Sequence, residues 1–158
     1  MSLKIYQIDS NYIKYLSQYQ NHIFSQEDKK GTRKYIGIIL RIGNCDYFAP
    51  LSSYKPKHKD MKESVDLIKI KAYAVININN MIPVPKGCYS LVDVNNEKDV
   101  HYRYLLQAEA REINRQRNRI MKNAEIVYNH KLKYGASTLL AKRTNDFKIL
   151  EQKYKDFI

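Results

Sequence analysis

The sequence predicts an α+β protein: a compact, strongly bent antiparallel sheet of small-barrel type, with an N-terminal helix and long helices at the C-terminal end. Three observations carry this. Residues 35–42 and 45–51 are near-continuous apolar runs on either side of Gly43-Asn44, the pattern of a buried hairpin. Further short strand patterns fill 65–78 and 88–92. From 99 to 133 there is neither glycine nor proline, and Leu106, Ala110, Ile113, Ile120, Ala124 and Val127 fall at helical spacing.

In chain order, residues 3–8 alternate as a first strand, and Asp9 or Ser10 can cap a helix carrying Tyr12, Ile13, Leu16 and Tyr19 on one face. On spacing alone Tyr12 is a packing residue. Residues 21–30 are polar and charged and predict a mobile loop. Arg33-Lys34 then leads into the hairpin. Pro83 and Pro85 hold 81–85 extended and exclude both helix and central strand. The helical stretch is either one long helix or two with a break between 114 and 123. Gly135 ends it, 137–138 open a short connection, and Asn145 or Asp146 caps a final helix. With no repeat, linker or low-complexity tract, residues 1–158 read as one domain.

Lysine and arginine total 28 against 16 aspartates and glutamates, a net charge of +12. That surplus favours a polyanionic partner, nucleic acid before an anionic membrane surface. Fourteen tyrosines supply aromatic faces able to stack on unpaired bases. There is no signal peptide and no run of membrane-spanning length. Cys45 and Cys88 read as reduced core thiols in a cytosolic protein. The four histidines show no ligand spacing, so a metal site is not expected, and no phosphate-loop or dinucleotide motif stands among five glycines. No cofactor is expected.

Chemistry concentrates at 47–64, YFAPLSSYKPKHKDMKES. An apolar strand delivers Ser52 and Ser53, and Lys55, Lys57, His58, Lys59, Lys62 and Ser64 follow. Hydroxyls can hydrogen-bond phosphate oxygens, and ammonium groups can neutralise developing charge. Antiparallel pairing through a tight turn sets Arg33-Lys34 beside Ser52-Ser53. On the helical stretch, Arg111, Arg115, Arg117, Arg119 and Lys122 form a candidate track for a phosphate backbone; the plainer reading is a solvated face.

With these residues laid out, the chain resembles the toxins of type III toxin–antitoxin systems, the ToxN/AbiQ family of endoribonucleases. The matching pieces are IYQIDSNYIKYL, RKYIGIIL, YFAPLSSYKPKH, MKES, MIPV and LEQKYKDF, in order along the whole chain. The resemblance implies a bent sheet of the MazF/Kid type and metal-independent RNA cleavage. It implies inhibition by a small pseudoknotted RNA antitoxin, in a closed toxin–RNA assembly, rather than by a protein. Substrates would be the toxin's own repeat RNA and cellular or phage RNA, cut at adenine-rich sites, with growth arrest or abortive phage infection as the outcome. The family's site residues correspond to Ser52, Ser53 and Lys55, to Arg33 or Lys34 with a one-residue ambiguity, and to Tyr12. The expected chemistry is attack of a ribose 2′-hydroxyl on its own phosphate. The base is left open among a lysine, His58 and Tyr12. The alternatives are a non-catalytic basic nucleic-acid-binding module and a relative of toxins held by a protein antitoxin.

Overall fold

The computed structural model describes residues 2–24, 26–28 and 31–157. β1 (Lys4–Ile8) runs into α1 (Ser10–Ser17), where the Asp9 carboxylate accepts from the Asn11 backbone N–H and the apolar positions Tyr12, Ile13 and Leu16 turn inward. β2 (Glu27–Asp28), inside the stretch expected to be a mobile loop, pairs with β3 (Gly31–Thr32), which follows that stretch. Residues 25, 29 and 30 of that loop lie outside the described residues. Its described part is tethered: Asn80 donates to the His22 carbonyl at 2.9 Å and Gln26 to that of Ile8 at 2.6 Å.

β4 (Lys34–Ile42) and β5 (Cys45–Ser53) form the hairpin at the centre of the sheet. Gly43 takes φ +58° at the first turn position, a conformation open to glycine and strained for other residues. Gly37 is needed for another reason: a Cβ there would stand 2.2 Å from the Phe48 ring. A short helix, α2 (Pro56–Asp60), leaves the hairpin, followed by β6 (Leu67–Ile70), β7 (Ala74–Asn77), β8 (Ile82–Pro83) and β9 (Tyr89–Leu91). The seven-stranded sheet has the order β6-β7-β5-β4-β1-β9, and β5 shares one edge between β7 and β8. Every pairing in it is antiparallel. Pro83 sits where it spoils no inner ladder, at the end of the sheet opposite Tyr47.

The helical region is two helices, α3 (Val100–Arg115) and α4 (Arg117–Tyr134), with Gln116 outside helical geometry between them. Neither glycine nor proline makes this break. The Gln116 side chain donates to the Lys69 carbonyl on β6 at 3.2 Å and to Glu112 at 2.7 Å, so a tertiary contact selects the position. The connection after Gly135 holds an extra helix, α5 (Leu139–Arg143), capped by Thr138 Oγ1 on the Ala141 N–H; five residues are too few to show periodicity in sequence. α6 (Phe147–Asp156) starts at Asp146.

The two elements at the C-terminal end close the core. Phe147 stacks on Tyr128 and meets Tyr47 edge-on, and both tyrosine hydroxyls donate to the Glu151 carboxylate, at 2.6 and 2.7 Å. Burying an aromatic of this size contributes about 1.5–3 kcal/mol, and pairing both hydroxyls removes the penalty of enclosing them. Cys45 and Cys88 are free thiols. Among the described residues no helix is long and apolar enough to cross a membrane.

Candidate active site

The register of β4 against β5 pairs Lys34 with Leu51, Tyr35 with Pro50 and Ile36 with Ala49. Residue 33 therefore stands beside residue 52, and Arg33 Nη1 donates to Ser52 Oγ at 3.0 Å. From the other edge of β5, Asn77 on β7 donates to the same oxygen at 3.2 Å. Arg33 is itself held: its guanidinium lies 4.8 Å from the Phe24 ring centroid, and its backbone N–H donates to the Gln26 carbonyl at 2.7 Å. Lys34 Nζ donates to the Thr32 carbonyl at 3.0 Å and lies 5.9 Å from the Tyr102 ring centroid.

Ser53 is buried and Ser52 half-buried. Both line a cavity of about 20 Å³, together with Lys34, Tyr102 and Glu109. That is room for about one water molecule, too little for a nucleotide. Glu109 and Tyr102, both on α3, and Asn77 were not anticipated from the sequence. A signal for Glu109 exists: its helical position falls on the stripe between Leu106 and Ile113, where a carboxylate interrupts an otherwise apolar face.

Lys55 is exposed at the N-cap of α2, two residues beyond Ser53. Its backbone N–H donates to His58 Nδ1 at 2.8 Å, and the His58 N–H returns to the Lys55 carbonyl at 2.9 Å. This reciprocal pair works as a capping box does, with an imidazole in place of the usual carboxylate. His58 is 6% exposed. Burial, with Lys57, Lys55 and Lys69 nearby, holds its pKa below the ordinary histidine value. Nδ1 is thus engaged inside the fold, where it caps the short helix after Lys55. Lys57, Lys59 and Lys62 remain exposed around it.

Three other expectations change. Tyr12 is fully buried, and its hydroxyl donates to the Pro83 carbonyl. Burial raises its pKa, and the residue packs in the core and anchors β8. Ser64 gives its hydroxyl to Asp66 at 2.7 Å. Burial would raise the Asp66 pKa, but the fork of Arg143, at 2.7 and 2.9 Å, and Ser64 hold it below the usual carboxylate value. Ser64 thus braces the loop and is exposed on it. The helix track is also interrupted. Arg115 forks onto Glu112 at 2.7 and 2.6 Å, and that bond, followed in order by opposing burial and by Gln116, leaves Glu112 with a pKa lowered to about 2. Arg119 pairs with Glu63 at 2.7 Å. Arg111 and Lys122 are exposed and Arg117 is half-buried.

The fold and site define a small basic α+β protein that brings cations and hydroxyls together at the end of a central hairpin, chemistry suited to a phosphate group. The chain belongs to the ToxN toxin family of type III toxin–antitoxin systems, whose family model matches residues 4–155. It is 30% identical to the endoribonuclease ToxN of Pectobacterium atrosepticum, over 98% of this chain and 94% of that one. To the endoribonuclease AbiQ of Lactococcus lactis subsp. lactis it is 28% identical, over 97% and 88%. Among solved structures, it superposes with a TM-score of 0.85 on a chain from a bacterial antiviral system regulated by a processed non-coding RNA, at 30% identity and 98% coverage of both.

Proposed function

We propose that the protein is a metal-independent endoribonuclease toxin whose active site is built on Ser52, Ser53, Arg33 and Lys55. The observation that carries this is the Arg33–Ser52 contact across the β4–β5 hairpin, with Ser53 beside it and Lys55 two residues on, in a chain whose curated relatives are endoribonucleases. The ribose 2′-oxygen attacks the adjacent phosphorus and loses its proton. The bond to the 5′-oxygen breaks, and that oxygen is protonated, leaving a 2′,3′-cyclic phosphate and a 5′-hydroxyl. Arg33 and Lys55 stabilise the charge that builds on the non-bridging oxygens. Ser52, held by Arg33 and Asn77, and Ser53 orient the phosphate.

Arg33 stays protonated and cannot act as base. With Nδ1 of His58 and the Tyr12 hydroxyl engaged inside the fold, the amines of Lys34, which lines the cavity at the hydroxyls, and Lys55, two residues beyond Ser53, are the groups assigned to move the proton. Glu109 lines the small cavity at these hydroxyls, where its carboxylate supports them from the side away from the strand. The exposed lysines at 57, 59 and 62, with Arg111, Arg117 and Lys122, supply salt-sensitive affinity for the strand. The protein acts in the cytoplasm, where transcripts are found. Its inhibitor is a small pseudoknotted RNA, which the toxin cuts from a repeat precursor and with which it assembles.

The test is incubation of the purified chain, stripped of co-purifying RNA, with a labelled adenine-rich RNA in EDTA, alongside a 2′-deoxy version. Cleavage of the first alone, with cyclic-phosphate ends, supports the reading. Tight binding of both with no cleavage overturns it in favour of a non-catalytic binding module.

A further inference from the structure

Ser52 Oγ receives hydrogen bonds from both flanking strands. Arg33 Nη1 donates at 3.0 Å from the β4 side, and Asn77 Nδ2 donates at 3.2 Å from β7. The register builds this row. Ser52 lies directly across from Val75, so Asn77, two positions on, projects from the same face of β7 as its diagonal neighbour. Residue 33, next to the Lys34–Leu51 pair, falls opposite Ser52 on the other side. Ser52 and Asn77 are both half-buried, which shields the contact from competing water. A hydroxyl oxygen offers two lone pairs and one proton. Here both lone pairs face N–H donors, and among the described residues the Ser52 proton meets no acceptor. The hydroxyl is left as a donor alone, and the two N–H groups set the direction of its proton. Donation from a guanidinium also polarises the O–H bond and strengthens it as a donor.

We infer that Asn77 is a positioning residue of the active site: with Arg33 it locks Ser52 as a one-way hydrogen-bond donor. That donor is aimed at a non-bridging oxygen of the scissile phosphate and is barred from taking the 2′-hydroxyl proton. The inference rests on the endoribonuclease reading. A phosphate oxygen carries only lone pairs, so the fixed Ser52 proton matches it. A freely rotating hydroxyl would spend part of its time with a lone pair turned to the phosphate and would have to reorient during the reaction. A neutral amide suits the task, because it donates without adding a second charge beside Arg33. It also stands on β7, a strand paired on both sides, so its own position is fixed. Ser52 neither gains nor loses its proton in this role.

The experiment is single-turnover cleavage, by the full-length protein, of a short RNA that the wild type cuts once. The cut linkage is made with oxygen alone or with sulfur at one non-bridging position, in the Rp or the Sp form. Sulfur accepts hydrogen bonds poorly, so the wild type should slow about ten-fold on one of the two forms. On the oxygen substrate Ser52→Ala should lower the rate about 10²-fold and Asn77→Ala about ten-fold. Each should shrink the sulfur effect, at unchanged melting temperature. Adding Asn77→Ala to Ser52→Ala should cost less than about two-fold more, because Asn77 acts through the hydroxyl. Asn77→Asp, of the same shape, should lose at least as much as Asn77→Ala, since a carboxylate takes the Ser52 proton for itself. A further ten-fold loss in the double variant, a sulfur effect unchanged in Asn77→Ala, or a wild-type rate in Asn77→Asp would overturn the assignment while leaving the ribonuclease reading intact. A wild-type protein that cuts no RNA would remove both.

Discussion

Arg33 Nη1 and Ser52 Oγ stand 3.0 Å apart although 19 positions separate the residues in sequence, and the β4–β5 register alone makes them neighbours. The contact joins the one group that cannot lose its charge to a hydroxyl able to touch a phosphate. Arg33→Ala should lower single-turnover RNA cleavage about 10²–10³-fold, the cost of deleting one preorganised donor to a developing oxyanion. Arg33→Lys should recover only part, because an ammonium cannot hold Ser52 and a phosphate oxygen with the same fork. Melting temperature should move little, which separates the chemical role from a structural one.

Gly37 opposes Phe48, and a methyl group there would overlap the ring at 2.2 Å. Gly37→Ala should destabilise the fold by about 1–3 kcal/mol, the usual cost of overpacking a filled core. Because the strain falls on the hairpin that sets Arg33 against Ser52, cleavage should drop in the still-folded fraction. Chemical denaturation with a parallel cleavage assay checks both. A substitution that leaves stability unchanged would mean that Phe48 swings aside.

His58 gives a pH signature. Its folded-state pKa lies below the ordinary value of 6.5, so folding favours the neutral ring. The unfolded chain then binds the proton first, and the contribution is complete above 6.5. It is lost progressively as pH falls from there to the folded-state value and is flat below. The difference in unfolding free energy between wild type and His58→Asn should follow that course. A difference that grows as pH falls through this window would refute the buried, neutral assignment.

Tyr12 is the clearest test of packing against catalysis. Tyr12→Phe keeps the ring contacts with Phe157 and removes only the bond to the Pro83 carbonyl. The expected result is a stability loss of about 1–3 kcal/mol from the unpaired buried carbonyl, with kcat preserved. Loss of kcat at unchanged stability would return Tyr12 to the chemistry.

Glu109, in the cavity behind the hydroxyls, should act through them. Glu109→Gln should preserve the fold and lower kcat more than it raises KM, with a shifted pH–rate profile as a carboxylate is lost from the cavity at the hydroxyls. A KM effect alone, with the profile unmoved, would assign it to structure.

Much of the architecture was legible before any coordinates. Tyr35 to Leu51 reads as a hairpin because burial on both faces demands apolar residues at nearly every position, and Gly43 marks the turn. The convergence of Arg33 with Ser52 follows from that pairing. Elements shorter than their own periodicity were not legible: α2 and α5 at five residues each, and β2 with β3 at two. His58 shows why type and position do not suffice. Among lysines it reads as one more cation, whereas its ring is turned inward to cap the helix that follows Lys55.

Local sequence thus determined what short-range physics can decide: strand and helix patterns, helix starts at 9–10 and 145–146, the basic surplus, and the hydroxyl–lysine segment beside the paired cations. Only the tertiary structure decided which polar groups are spent inside the fold and which remain for a ligand. It placed Asn77 on Ser52, Glu109 behind Ser53, Tyr12 under β8, and Glu112 and Glu63 on two arginines of the supposed track. The physical reason is that a buried polar atom must find a partner, and the partner is chosen by proximity in the packed chain, to which spacing along the sequence is blind.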